Sequence, residues 1–185
     1  LIIVIVILFF IAKNYRTEQF KNINLKRKEF FSGDILNHEA GLLVALLAKV
    51  AKADGKIGEL EAELIKHTLT DISSHFENEQ EVRGRLKELY NKEKDNFSNL
   101  IVLCDRLYIL TKNNYESRLT YLEYLLNLAF IDGSFSKTER EITEDIAQAL
   151  KIEQNDYLNI ISKLEAFHEN AKKHEELSVE KAYSI

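Results

Sequence analysis

Two short strings place a carboxylate, a glycine and a second carboxylate at spacings used for cation chemistry. Asp54-Gly55 is followed by Ile57 two residues after the glycine and by Glu61 six after it. Asp132-Gly133 is followed in the same register by Phe135 and Glu139. The pattern matches the second half of a calcium-binding EF-hand loop, where glycine permits a sharp turn and the last glutamate supplies two oxygens. That loop also needs oxygen ligands at its first and third positions. Val50 and Lys52 stand there in the first string, Leu128 and Phe130 in the second, which excludes the EF-hand. A different divalent-cation site using Asp54 or Asp132 with nearby acids stays open. Helix capping explains the glutamates more simply, because hard cations need several oxygens.

Other reactive side chains are weaker candidates. Glu63, His67, Asp71 and His75 recur every four residues and share one helix face. Imidazole and carboxylate suit transition metals, but the two histidines lie about 12 Å apart along the axis, so a solvated polar face is expected. His168 and His174, in a Lys/Glu-rich stretch, read as surface. Cys104, within an apolar run, reads as core. One cysteine excludes a disulfide framework or a Cys-based zinc cluster within one chain. No Gly-rich phosphate loop, HExxH or GxSxG is present, so no enzyme is expected and no catalytic residue is assigned. Tyr108, Tyr115, Tyr121 and Tyr124 are expected mostly as core or rim residues.

The elements that must position these residues are helical. The 185 residues are 45% hydrophobic and 30% charged, enough for one core-bearing domain with appendages. Six glycines and no proline argue against an all-β fold and its many turns. Leu42, Leu43, Leu46, Leu47 and Val50 keep i, i+3, i+4 spacing. Further helices are expected at about 58–75, 79–94, 98–112, 115–131, 137–150 and 155–174, with N-cap candidates Asn78, Ser98, Asn114 and Ser136. The two strings extend into a weak internal repeat, since Leu47 and Ala51 correspond to Leu125 and Ala129. Each copy reads as a helix, a left-handed turn at Gly55 or Gly133, an apolar residue packing back, and a new helix. Ser136 with Glu139 forms a capping box, and Gly58 with Glu61 is its counterpart.

Leu1–Ala12 is unbroken apolar sequence. Spanning a bilayer takes about 20 such residues, and the chain contains no Met, so a span beginning upstream of Leu1 is expected. Lys13, Arg16, Lys21, Lys26, Arg27 and Lys28 follow, marking the cytoplasmic side of a single anchor. The expected organisation is a partial transmembrane anchor at 1–12, a basic juxtamembrane neck at 13–33, a helical domain at 34–175 and a linker at 176–185. A net charge of -5 gives no support for nucleic-acid binding.

The paired Ala53-Asp54-Gly55…Glu61 and Ile131-Asp132-Gly133…Glu139 hairpins resemble the TerB-like domain, an all-helical module first met in tellurite-resistance proteins. An anchor followed by such a domain resembles the DjlA-type membrane-anchored DnaJ-like co-chaperones. The tail Leu177–Ile185 resembles the entry to a J domain in that family. The resemblance implies a bacterial inner-membrane protein whose helical domain is cytoplasmic, accessory to a J domain that stimulates a DnaK-class chaperone. A homodimer is a further possible partnership. The J domain acts through a His-Pro-Asp tripeptide, and with no proline the chain holds no such site. The alternative is a metal-binding TerB-like module of a stress or tellurite-resistance system.

Overall fold

The computed structural model describes residues 29–183. Seven α-helices follow a single 3-10 turn at Ile35–Asn37: α1 Glu39–Val50, α2 Glu59–Ser73, α3 Glu79–Glu93, α4 Leu100–Leu110, α5 Tyr115–Ala129, α6 Lys137–Ala149 and α7 Gln154–Tyr183. The all-α expectation and the helix count hold. No strand forms among the described residues; one parallel bridge joins Glu29 to Phe76. No helix among them is long and apolar enough to cross a membrane. The anchor expected at 1–12 lies outside the described residues, as does most of the basic neck.

The centre of the bundle is α1. Every residue from Gly41 to Val50 is buried, because α3, α4, α5 and α6 pack around it. Its sequence is apolar on all faces, which suits a helix surrounded by protein rather than half exposed to water. The exception is Lys49, fully buried, whose ammonium lies 2.9 Å from the carboxylate of Glu93 on α3. Lys49 also donates to the backbone carbonyls of Glu93 and Asn96, and Asn99 donates to Glu93 at 2.9 Å. The pair thus ties the core helix to the end of α3 and the turn that follows.

Of the other helices, α3 and α5 lay an apolar stripe on this centre, whereas α2 packs its stripe chiefly on α3. Leu64, Ile65, Leu69 and Ile72 of α2 and Val82, Leu86 and Leu89 of α3 are buried, as are Leu122, Leu125 and Leu126 of α5. Cys104 is core as expected, and burial pushes its thiol up to about 12. Tyr121 and Tyr124 are buried. Tyr108 and Tyr115 are half-buried around Arg118, whose guanidinium lies 5.1 and 5.4 Å from their ring centres.

Two local expectations are corrected and a third is refined. The cap of α4 is Asn99, not Ser98; Ser98 instead bonds Asn96 through its N–H and hydroxyl. Asn78 is the N-cap residue of α3 as expected, but its side chain makes no cap bond; its amide pairs with both backbone groups of Phe31 at 2.9 Å. That pairing holds residues 29–33 against the bundle, with Phe31 edge-on to Phe76 and Arg85 over its ring. His168 is half-buried rather than surface, stacked on Phe130 at 6.0 Å.

Candidate functional site: the paired Asp-Gly hairpins

Each Asp-Gly string forms a turn between two helices, α1 to α2 and α5 to α6. Gly55 has φ 88° and Gly133 φ 80°, the left-handed region where a side chain is strained. Their N–H groups bond back to Lys52 O and Phe130 O, both at 2.9 Å. The aspartates brace the same turns. Asp54 Oδ1 accepts from Lys56 N at 2.9 Å, and Asp132 Oδ1 accepts from Ser134 N at 2.8 Å and from its hydroxyl at 2.7 Å. Ile57 and Phe135 turn back onto the core, and Phe135 stacks on Phe130 at 4.2 Å.

The glutamates cap the outgoing helices. Glu139 Oε2 accepts from Ser136 N at 2.8 Å, while Ser136 Oγ accepts from Glu139 N at 3.2 Å, a complete capping box. Glu61 Oε2 accepts from Gly58 N at 2.6 Å. With no side chain on Gly58, only that half of the box exists in the first hairpin.

Folding brings the two hairpins into one electrostatic neighbourhood. Glu61 and Glu139 are both buried. Burial raises each carboxyl above its ordinary value; capping hydrogen bonds pull it back, and neighbouring carboxylates push it up again. Glu61 feels Glu139, Asp54 and Asp132, and Glu139 feels Asp54 and Asp132. Tyr90 of α3 belongs to the same region. Burial foremost, then Glu61 and Asp95, pushes its phenol up to about 12, and its buried hydroxyl has no partner among the described residues.

The arrangement stabilises two turns and two helix starts. Among the described residues no group of three or more His, Cys, Asp or Glu side chains is placed to hold a metal ion. Of the α2 polar face, Glu63 and His67 pair at 3.0 Å, while His75 lies past the end of the helix, which stops at Ser73. The Lys49–Glu93 pair was not foreseen. Its one sequence signal is a lone lysine in an otherwise apolar run; nothing local names the partner 44 residues away.

An all-helical domain with two Asp-Gly turns and back-bonded glutamates is the class these observations define. The family described as "Tellurite resistance protein TerB" matches residues 41–161, and the chain belongs to that family. It is also similar to the protein named "Co-chaperone protein DjlA" of Vibrio vulnificus strain YJ016, 29% identical over 106 residues. The namesake from strain CMCP6 is 28% identical over the same length. In both cases the match covers 57% of this chain and 36% of the relative, so the chain spans about a third of those proteins. No solved structure matches.

Proposed function

We propose that this chain is the accessory region of a membrane-tethered, DnaJ-like co-chaperone. The observation that carries the reading is the TerB family match joined to likeness with two proteins named as co-chaperones. On this reading residues 1–12 end a single span of the bacterial inner membrane and residues 13–33 form its basic cytoplasmic neck. The helical domain at 34–175 is an adaptor, and residues 176–185 lead to a C-terminal J domain that stimulates a DnaK-class chaperone. The chain itself binds and positions rather than catalyses. Tethering would act by effective concentration, holding the J domain near membrane clients. The 30-residue helix α7 supports this geometry, since a continuous helix is a stiff arm.

On the same reading the two hairpins are a pseudo-repeated unit. Asp54, Gly55, Glu61, Asp132, Gly133, Ser136 and Glu139 serve turn and cap geometry, which sets the angles between the helix pairs. The test of the function is the gene downstream of Ile185. A His-Pro-Asp tripeptide between two helical segments there is the expected result; a reading frame that closes without one refutes the proposal.

A second reading, a divalent-cation module of a stress system, has one observation in its favour. The carboxylates of the two hairpins repel one another, and a cation would relieve that repulsion. Calorimetry with calcium and other divalent ions decides it. Heat and a raised melting temperature, both lost in Asp54→Ala and Asp132→Ala, would establish it; no heat would dismiss it.

A further inference from the structure

Helix α4 carries a face that its own fold leaves uncovered. Between Leu100 and Leu110 the charged residues are Asp105 and Arg106 alone. A helix apolar on all sides is expected to be buried on all sides. Yet α4 buries only Leu100, Leu103, Cys104 and Leu107, on the side that meets α1 and α6. Ile101, Val102, Ile109 and Leu110 face solvent, with Val102 58% and Ile109 68% exposed. Half of the exposed large hydrophobic residues in the described chain lie on this short helix, and Phe97 precedes it. Apolar exposure so concentrated marks an interaction surface, whereas scattered single residues do not.

The pattern on that face is specific. At 3.6 residues per turn, Val102 and Ile109 fall on its centre line, one heptad apart, the spacing of a helix-pairing seam. Asp105 and Arg106 flank the line on opposite sides at nearly the same height. Neither forms an ion pair among the described residues. Arg106 donates to the neutral Asn37 side chain at 2.7 Å, which leaves its charge uncompensated.

We propose that α4 is the two-fold interface of a homodimer, packed parallel against α4 of a second copy. A parallel two-fold sets Val102 against Val102 and Ile109 against Ile109. It also exchanges the flanks, so each Asp105 faces the Arg106 of the other copy, twice over. An antiparallel pairing would set Asp105 against Asp105 and Arg106 against Arg106. The charges therefore choose both the occupant and its direction, and the contact is self-complementary, as a two-fold interface requires. The dimer is independent of the co-chaperone reading.

Sedimentation of the full chain in a mild non-ionic detergent, over a range of concentrations, tests this. The expected result is a concentration-dependent dimer. Val102→Glu or Ile109→Glu should weaken it at least tenfold, with an unchanged melting temperature at concentrations where both proteins are monomeric, since both side chains face solvent in the single chain. Asp105→Arg should weaken it, and adding Arg106→Asp should restore it. Val102→Cys should form a disulfide-linked dimer with itself under mild oxidation, against a background in which Cys104 is buried. A chain that stays monomeric, or an association that ignores Ile109→Glu, as one through residues 1–12 would, overturns the proposal. So does a Val102→Cys variant that crosslinks only when mixed with Ile109→Cys, the antiparallel signature.

Discussion

Replacing Lys49 by Met should be the most destabilising single change in the bundle that leaves its shape nearly filled. The two side chains are similar in length and the site is fully closed to water, so little volume is lost. What is lost is the ammonium, which neutralises Glu93 at 2.9 Å and also bonds the carbonyls of Glu93 and Asn96. Glu93 then stays buried with Asn99 as its remaining side-chain partner. Removing one member of a buried pair costs about 3–5 kcal/mol, much of it the penalty of the stranded charge. For a chain of this size that is a fall in melting temperature of about 10 °C.

The pH dependence sharpens the prediction. In the native protein burial alone would raise the Glu93 carboxyl, but hydrogen bonds from Lys49 and Asn99 and the lysine charge together hold it below its ordinary value. A carboxyl lowered in the folded state contributes stability that is present above its unfolded value and is lost as pH falls through the folded one. Without Lys49 the burial effect is left largely unopposed, so the folded value should rise above the unfolded one. The contribution then changes sign: the variant gains stability as pH falls through the raised value, where the native pair loses it. Urea unfolding of both proteins at a series of pH values reads both effects. A double variant, Lys49→Met with Glu93→Leu, should recover much of the loss, because no charge is stranded. A loss under about 1 kcal/mol, below the range for a broken buried pair, with the pH slope unchanged, would mean that Lys49 does not hold the Glu93 charge in the core.

Further outcomes follow from the hairpins and the first turn. Gly133→Val should destabilise by about 1–2 kcal/mol or more, the cost of a side chain in the left-handed region. The nearest atom to an added Cβ is His168 Nδ1 at an ordinary 3.6 Å, so unchanged thermal stability would contradict the φ of 80° rather than the packing. Ser136→Ala should lose about 1 kcal/mol, the usual worth of a helix cap, in chemical denaturation. Gly41→Ala would bring a Cβ to within 2.0 Å of Ile35 O; it should cost about 1–3 kcal/mol as overpacking does, with the 3-10 turn displaced, and unchanged amide exchange at Ile35–Asn37 would count against this. Glu139→Gln keeps an acceptor for the box and removes the charge. Because the folded carboxyl is raised above 4.5, native stability falls as pH climbs from 4.5 through the raised value. The variant should flatten that fall and be no less stable at neutral pH.

What the sequence made legible was local. Helices are readable because their apolar stripes repeat with a period of 3.6 residues, and each Asp-Gly turn carries its own glycine, brace and cap within ten residues. Contacts made by distant segments were not. Asn78 takes the N-cap position its type suggests, yet its side chain is used as a clasp for Phe31, 47 residues earlier. His168 sits among lysines and glutamates, yet stacks on Phe130, just past the end of α5. The apolar run around Cys104 suggested simple burial; only the packing shows that α4 buries one side and offers the other. The electrostatic meeting of the two hairpins is a further case, since 78 positions separate Asp54 from Asp132 and nothing in either string states that they share a neighbourhood.

Service to a DnaJ-like co-chaperone can be read out in ATP hydrolysis by the chaperone it would stimulate. The natural gene product, extended past Ile185 to its own terminator, should be added to a DnaK-class chaperone and single-turnover hydrolysis measured. The expected result is stimulation that disappears when the histidine of a downstream His-Pro-Asp tripeptide is replaced by glutamine. A natural-length protein that leaves the chaperone's hydrolysis rate unchanged would contradict it.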